Sequence, residues 1–179
     1  MTNVEVPQNL RLMTIVAHPH DVTYTLGTSA HHIERGDSVT VVSLTDGVTT
    51  HNEELEDEMR KPQAERDPEV LNRTRPDQAE RKRQEFARVC GLFGIDDVRV
   101  LPFADNPLDA SPEVLRSLVQ IFYEVRPHIV IPHAPYNYPY RNHFSIQDHD
   151  HPAAGPIHLC QINLKRSFLS EIFSFEIIK

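Results

Sequence analysis

Four stretches of the chain are short, apolar and rich in β-branched residues: 10–18 (LRLMTIVAH), 38–47 (SVTVVSLTDG), 97–105 (DVRVLPFAD) and 128–135 (HIVIPHAP). Each reads as a strand, and the first as a buried one. Between them the apolar positions move to helical spacing. Residues 23–37 (TYTLGTSAHHIERGD) read as a helix stopped near Gly36. Residues 77–94 read as an amphipathic helix with Phe86, Val89, Cys90 and Phe93 on its apolar side and Gly94 at its end. Residues 111–127 open with Ser111 as N-cap, Pro112 at the first helical position and then Glu113. Residues 48–76 break the pattern: they are charged, hold Pro62, Pro68 and Pro76, and read as a long loop with a helical turn or two. Their acidic run, 53–58 (EELEDE), is expected to be a solvated face.

The order strand–helix–strand–loop–helix–strand–helix–strand predicts an α/β fold with a mostly parallel sheet and helices on both faces. In such a sheet ligands bind at the carboxyl ends of the strands. That edge collects His18 to Asp21 after the first strand, Asp46 and Gly47 after the second, Asp105 after the third and His133 after the fourth.

Composition narrows the class. A chain of 179 residues supports one domain with a real core. A formal charge of -8 gives a nucleic-acid partner no electrostatic help, so none is expected. No apolar run approaches membrane-spanning length, and the N-terminus lacks the basic start and apolar core of a signal peptide. Two cysteines, Cys90 and Cys160, make no disulfide framework, so a cytoplasmic protein is expected. Cys90 reads as a small buried hydrophobe.

The eleven histidines stand out, and they cluster. VAHPHDV (16–22) puts His18, His20 and Asp21 at the end of the first strand, and QDHDHPAAG (147–155) puts Asp148, His149, Asp150 and His151 beyond the fourth. His18 and Asp21, three apart in one turn, suit a zinc ion that takes three protein ligands and leaves one position for water, with His151 as the third. Zinc bound in this way lowers the pKa of water to roughly 7 and polarises a carbonyl, which is machinery for hydrolysing an amide or ester. The alternative for the first cluster is a hydrogen-bonded turn in which Asp21 caps the first helix.

AHPHD resembles the Ala-His-Pro-Asp-Asp signature of the LmbE-like, or PIG-L, superfamily of zinc-dependent N-acetylglucosaminyl deacetylases. DHDHPAAG is similar to that family's His-Pro-Asp-His motif, and strands two to four are similar as well. The resemblance covers roughly residues 10–158. It implies a Rossmann-like fold, a domain over 1–158 with a charged insertion near 48–76, and an atypical tail over 159–179. It implies one zinc ion on His18, Asp21 and His151, and removal of the acetyl group from an N-acetylated sugar or conjugate. Asp150 would orient a neighbouring imidazole. Lys82 falls where the family often has an arginine that reaches the substrate. Asp105 could bond a sugar hydroxyl or simply shape the ADNP turn, and His133 faces the site or lies in a surface loop.

The sequence departs from the family at two positions. His20 stands where the family has its basic Asp, and Asp148 where it has a catalytic His. The reciprocal change suggests an exchange, with His20 as general base and Asp148 steadying the imidazolium. Imidazole titrates near 6.5 in model peptides, which suits a base at neutral pH. The rivals are a catalytically silent metal- or sugar-binding domain, with His20 as a fourth ligand or a spectator, and a divalent-metal amidase or esterase for a non-sugar metabolite. The tail departs too: Pro156 stands at the expected start of a helix, and the chain reads as truncated at its C-terminus, with weaker stability than a complete relative. Its apolar residues Phe168, Leu169, Ile172, Phe173 and Phe175 would pack back or join copies as a homo-oligomer.

Overall fold

The computed structural model describes residues 8–50, 52–105, 108 and 111–132. His133, Asp148, Asp150, His151 and the tail lie outside them.

Among the described residues, four parallel strands form one sheet in the order β3-β2-β1-β4. The strands are β1 (Arg11–Val16), β2 (Ser38–Thr45), β3 (Asp97–Phe103) and β4 (Ile129–Ile131). β1 pairs with β2 from Arg11↔Ser38 to Val16↔Ser43, and with β4 from Leu12↔Ile129 to Thr14↔Ile131. Side chains alternate across a strand, so each strand feeds both faces. Met13, Ile15, Val42 and Leu44 point to one face and pack with Val114, Leu118, Ile121 and Phe122 of α5 (Pro112–Val125). Leu12, Val39 and Val41 point to the other, against Leu26 of α1 (Leu26–Glu34) and Phe86 and Cys90 of α4 (Arg75–Leu92). The near-continuous apolar strands are therefore the mark of a sheet covered on both sides.

The chain builds outward from β1 to β2 and β3, then returns to lay β4 on the other flank of β1. The crevice at the carboxyl ends of β1 and β4 is thus the switch point, where open α/β sheets place ligands.

The structure departs from the sequence pattern at four places. The first helix does not start at residue 23. A 3-10 turn runs from Pro19 to Tyr24 and α1 follows. The hydroxyls of Thr23 and Thr25 donate to the carbonyls of His20 and Val22 at 2.9 and 3.0 Å, holding that tight turn. The segment after β2 is not mainly loop: it folds α2 (Glu53–Arg60), a 3-10 turn (Gln63–Glu65) and α3 (Pro68–Leu71). Asn52 and Asp67 cap the two helices by accepting from Leu55 and Glu69. Its acidic run is only partly a solvated face. Glu58 is buried, pairs with Lys61 and accepts from the Asp67 amide at 2.8 Å, while Glu54 binds Arg73 and Arg81. Finally, the predicted apolar side of α4 is only half used: Phe86 and Cys90 are buried, but Val89 and Phe93 are 37% and 38% exposed.

Candidate metal centre

β1 ends in Val16 and Ala17, both sealed in the core. The Ala17 carbonyl accepts from the Thr45 amide at 3.1 Å and the Thr45 hydroxyl at 2.9 Å, so the exit of β1 is tied to the exit of β2. The Thr45 hydroxyl also accepts from the Gly47 amide at 3.2 Å. Gly47 has φ +68, and a methyl placed on it would meet Pro19 Cδ at 3.3 Å and His18 Cβ at 3.4 Å. Only glycine takes that conformation cheaply while lying flat against the turn. The result is a fixed platform under residues 18–21.

On that platform the chain reverses and Asp21 reaches back. Its Oδ2 accepts from the His18 amide at 2.9 Å and lies 3.3 Å from His18 Nδ1. Its Oδ1 lies 3.0 Å from His20 Nε2. The two imidazoles are nearly parallel, with ring centres 5.6 Å apart. Asp21 is not an N-cap but the N3 residue of a capping box on the 3-10 turn, with His18 as N-cap. The hydrogen-bonded turn of the alternative reading is therefore present, and the same carboxylate also meets two imidazoles. His18 and Asp21 are buried, whereas 45% of the His20 side chain is exposed.

A buried carboxylate is costly unless it is paired. Here the pairing groups are side chains that could ligate a metal, and one donor atom from each of the three residues lies within 4.8 Å of the others. Two imidazoles and a carboxylate are a zinc-type donor set. The two imidazoles approach different oxygens of the Asp21 carboxylate, at 3.3 and 3.0 Å, and this clustering of donor atoms suits a divalent ion.

The group sits between two clefts. One, of about 300 Å³, lies at the switch point and includes Asp21, Tyr24, Ile131 and Pro132. The other, of about 290 Å³, lies between the His18–Asp21 turn and α4 and includes His20, Val22, Lys82 and Phe86. Lys82, singled out in the sequence, thus shares a cleft with His20, and its ammonium stands 3.6 Å from the Glu53 carboxylate. Neighbouring Arg81 and Arg83 pair along the α4 surface with Glu85 and Glu80 at 3.1 Å.

Asp105 performs a local task. Its side chain is fully buried, Oδ2 accepts from the Thr49 and Thr50 amides at 2.9 Å, and Oδ1 lies 3.5 Å from Arg75. Burial alone would raise its pKa, but the bonds from Thr49 and Thr50 outweigh that and hold the carboxyl below its usual range. Asp105 so clamps the loop after β2 to the end of β3. Arg75 bonds Thr49 Oγ1 at 2.5 Å and lies 3.8 Å from Asp46. Thr45, Thr49 and Arg75 went unnoticed in the sequence because their partners lie 26 to 56 positions away; the local trace is a run of polar residues closing an apolar strand.

Residues 13–157 match the model of the family PIG-L, GlcNAc-PI de-N-acetylase. The chain belongs to the PIG-L family. Solved structures agree on the fold. The 4-carboxy-2-hydroxymuconate hydratase GalB of Pseudomonas putida KT2440 superposes with TM-score 0.67 at 20% identity, covering 95% of this chain and 62% of that one. The N,N'-diacetylchitobiose deacetylase of Pyrococcus horikoshii gives 0.64 at 23%, covering 85% and 51%. The A40926 pseudoaglycone deacetylase Dbv21 gives 0.59 at 17%, covering 87% and 60%. The chain thus spans half to just under two thirds of the length of these structures. No curated protein matches it significantly. The same PIG-L fold carries both a hydratase and deacetylases, so activity has to be argued from the site. The family is typically metal-dependent, in keeping with the His-His-Asp group. No helix among the described residues is long and apolar enough to cross a membrane.

Proposed function

We propose that this PIG-L chain is a zinc-dependent amide hydrolase that removes the acetyl group from an N-acetylated sugar or sugar conjugate. The observation that carries the reading is the buried carboxylate of Asp21 shared between His18 and His20 at the carboxyl edge of the sheet, with a cleft on either side. Membership in a family described as de-N-acetylases supplies the reaction class.

His18 and Asp21 would hold the ion, with His151 as the third ligand that the family motif implies. A divalent ion there supplies an acidified water and an electrophile for the carbonyl. The protein's own part follows from its geometry. The platform of Ala17, Thr45 and Gly47 fixes the ligands before substrate arrives, so little reorganisation is left for the reaction. His20, half exposed and anchored at Nε2 by Asp21, is the base that takes the proton of the attacking water. The water oxygen bonds to the acyl carbon, the C–N bond breaks, and the proton passes to the departing amine. Asp148 would steady the imidazolium, Asp150 would orient a ligand imidazole, and Lys82 and His133 would contact substrate. The exchange of base and partner is tested with His20→Asp, Asp148→His and the double variant: the double must be more active than either single.

The 3.0 Å contact between His20 and Asp21 also favours a second reading. With His20 as a fourth ligand the ion would be enclosed, giving a domain that binds metal or sugar without turnover. Metal analysis together with acetate release from N-acetylglucosamine conjugates separates the two. Zinc with release supports the hydrolase; zinc without release supports the binding domain. Release only from non-sugar amides would keep the chemistry and replace the substrate.

A further inference from the structure

The cleft on the His20 side, which also holds Lys82, is larger than an acetyl group requires. Its volume of about 290 Å³ equals on the order of ten water volumes, whereas an acetyl group offers a single methyl. Val22, Phe86 and Val89 form its apolar wall. The charged groups beside them are already matched: Lys82 is 3.6 Å from Glu53, and Glu85 is 3.1 Å from Arg81. Among the described residues, the charged side chains beside this wall thus have ion-pair partners.

Val89, one turn after Phe86 on α4, keeps 37% of its surface exposed at the cleft. A concave, apolar wall of this kind marks a groove for an apolar ligand. The groove begins at the residue that the proposed reaction places next to the acyl carbon.

We propose that this cleft receives the hydrocarbon chain of an N-acyl group longer than acetyl, so that the preferred substrates are medium-chain N-acyl amino sugars. The inference rests on the amide-hydrolase reading for the position of the acyl carbon, but its test does not depend on turnover. The zinc-loaded chain is titrated calorimetrically with N-ethyl-, N-butyl-, N-hexyl- and N-octylglucosamine, which lack a scissile carbonyl. Affinity is expected to rise about fourfold per added methylene over the first members, the worth of burying one CH₂. Equal affinities, or failure of the longer members to bind, would overturn the proposal. In Val89→Asp, a change at a half-exposed position, the gradient should flatten; an unchanged gradient would place the chain elsewhere and overturn the assignment to this cleft. Acid release from the matching N-acyl series is measured in parallel. A steep binding gradient with no release would refute the hydrolase and leave the chain-binding cleft standing.

Discussion

Gly47 shows how much of the centre rests on one residue that bears no chemistry. Its left-handed backbone brings the loop after β2 against His18 and Pro19, where a methyl would sit tightly at 3.3–3.4 Å from both. Gly47→Ala should cost about 1–3 kcal/mol, the range for forcing a non-glycine residue into such a conformation. Because the methyl presses on the metal turn, zinc affinity should fall along with the melting temperature. A loss of stability with unchanged affinity would show that the turn does not lean on Gly47. Cys90 carries a simpler expectation. Burial pushes its thiol up to about 11 and leaves it no exposed surface. In a Cys160→Ser background the native chain should resist thiol reagents at neutral pH and react only once unfolded.

At the scale of elements, the insertion after β2 is held by ion pairs more than by apolar contacts. Glu58 reaches back to Lys61 and to the Asp67 amide, and these bonds keep its carboxyl below the usual range. Glu58→Ala should free the 61–67 connection, seen as faster proteolysis there and a lower melting temperature, with α4 unaffected. The other end of the sheet contains a pH-dependent joint. His128 Nδ1 accepts from the Arg11 amide at 3.0 Å, tying the start of β4 to β1. Burial, and then the Arg11 guanidinium, hold the ring's pKa below its usual value of about 6.5, with Asp37 opposing. The unfolded chain therefore binds the proton first. The contribution is complete above about pH 6.5 and is lost as pH falls below it. Melting temperature should drop between pH 7.5 and 5.5, and the drop should shrink in His128→Gln, which keeps an acceptor but does not titrate.

The strands were legible because each is an apolar run long enough to cross a covered sheet, and α5 because Ser111 and Pro112 mark its start. α2 and α3 were hidden for the converse reason. Their caps, Asn52 and Asp67, are visible in the sequence, but helices stabilised by Glu54, Glu58, Arg73 and Arg81 leave no apolar period to read. In the site, His18 and Asp21 were legible as a motif. The sharing of Asp21 with His20 was not, because spacing alone does not tell which way a tight turn aims an imidazole.

For the whole molecule, the topology does the positioning. The strand order places the switch point at β1 and β4, β1 delivers His18 to that edge, and the exits of β2 and β3 are stapled beneath it by Thr45 and Asp105. Asp105→Ala should therefore weaken zinc binding at a distance, by loosening the loop that carries Gly47, while the sheet still forms. An unchanged zinc affinity would separate that loop from the metal turn.

The proposed chemistry depends on one property of the turn from His18 to Asp21, its capacity to hold a divalent ion. Its most direct test is a calorimetric zinc titration of the metal-stripped chain beside Asp21→Asn, which keeps the size of the side chain and loses its charge. One ion should bind per chain, and the substitution should weaken binding by more than about 100-fold, beyond the loss common for partners outside the ligand sphere. Equal affinity in the two proteins would contradict the account.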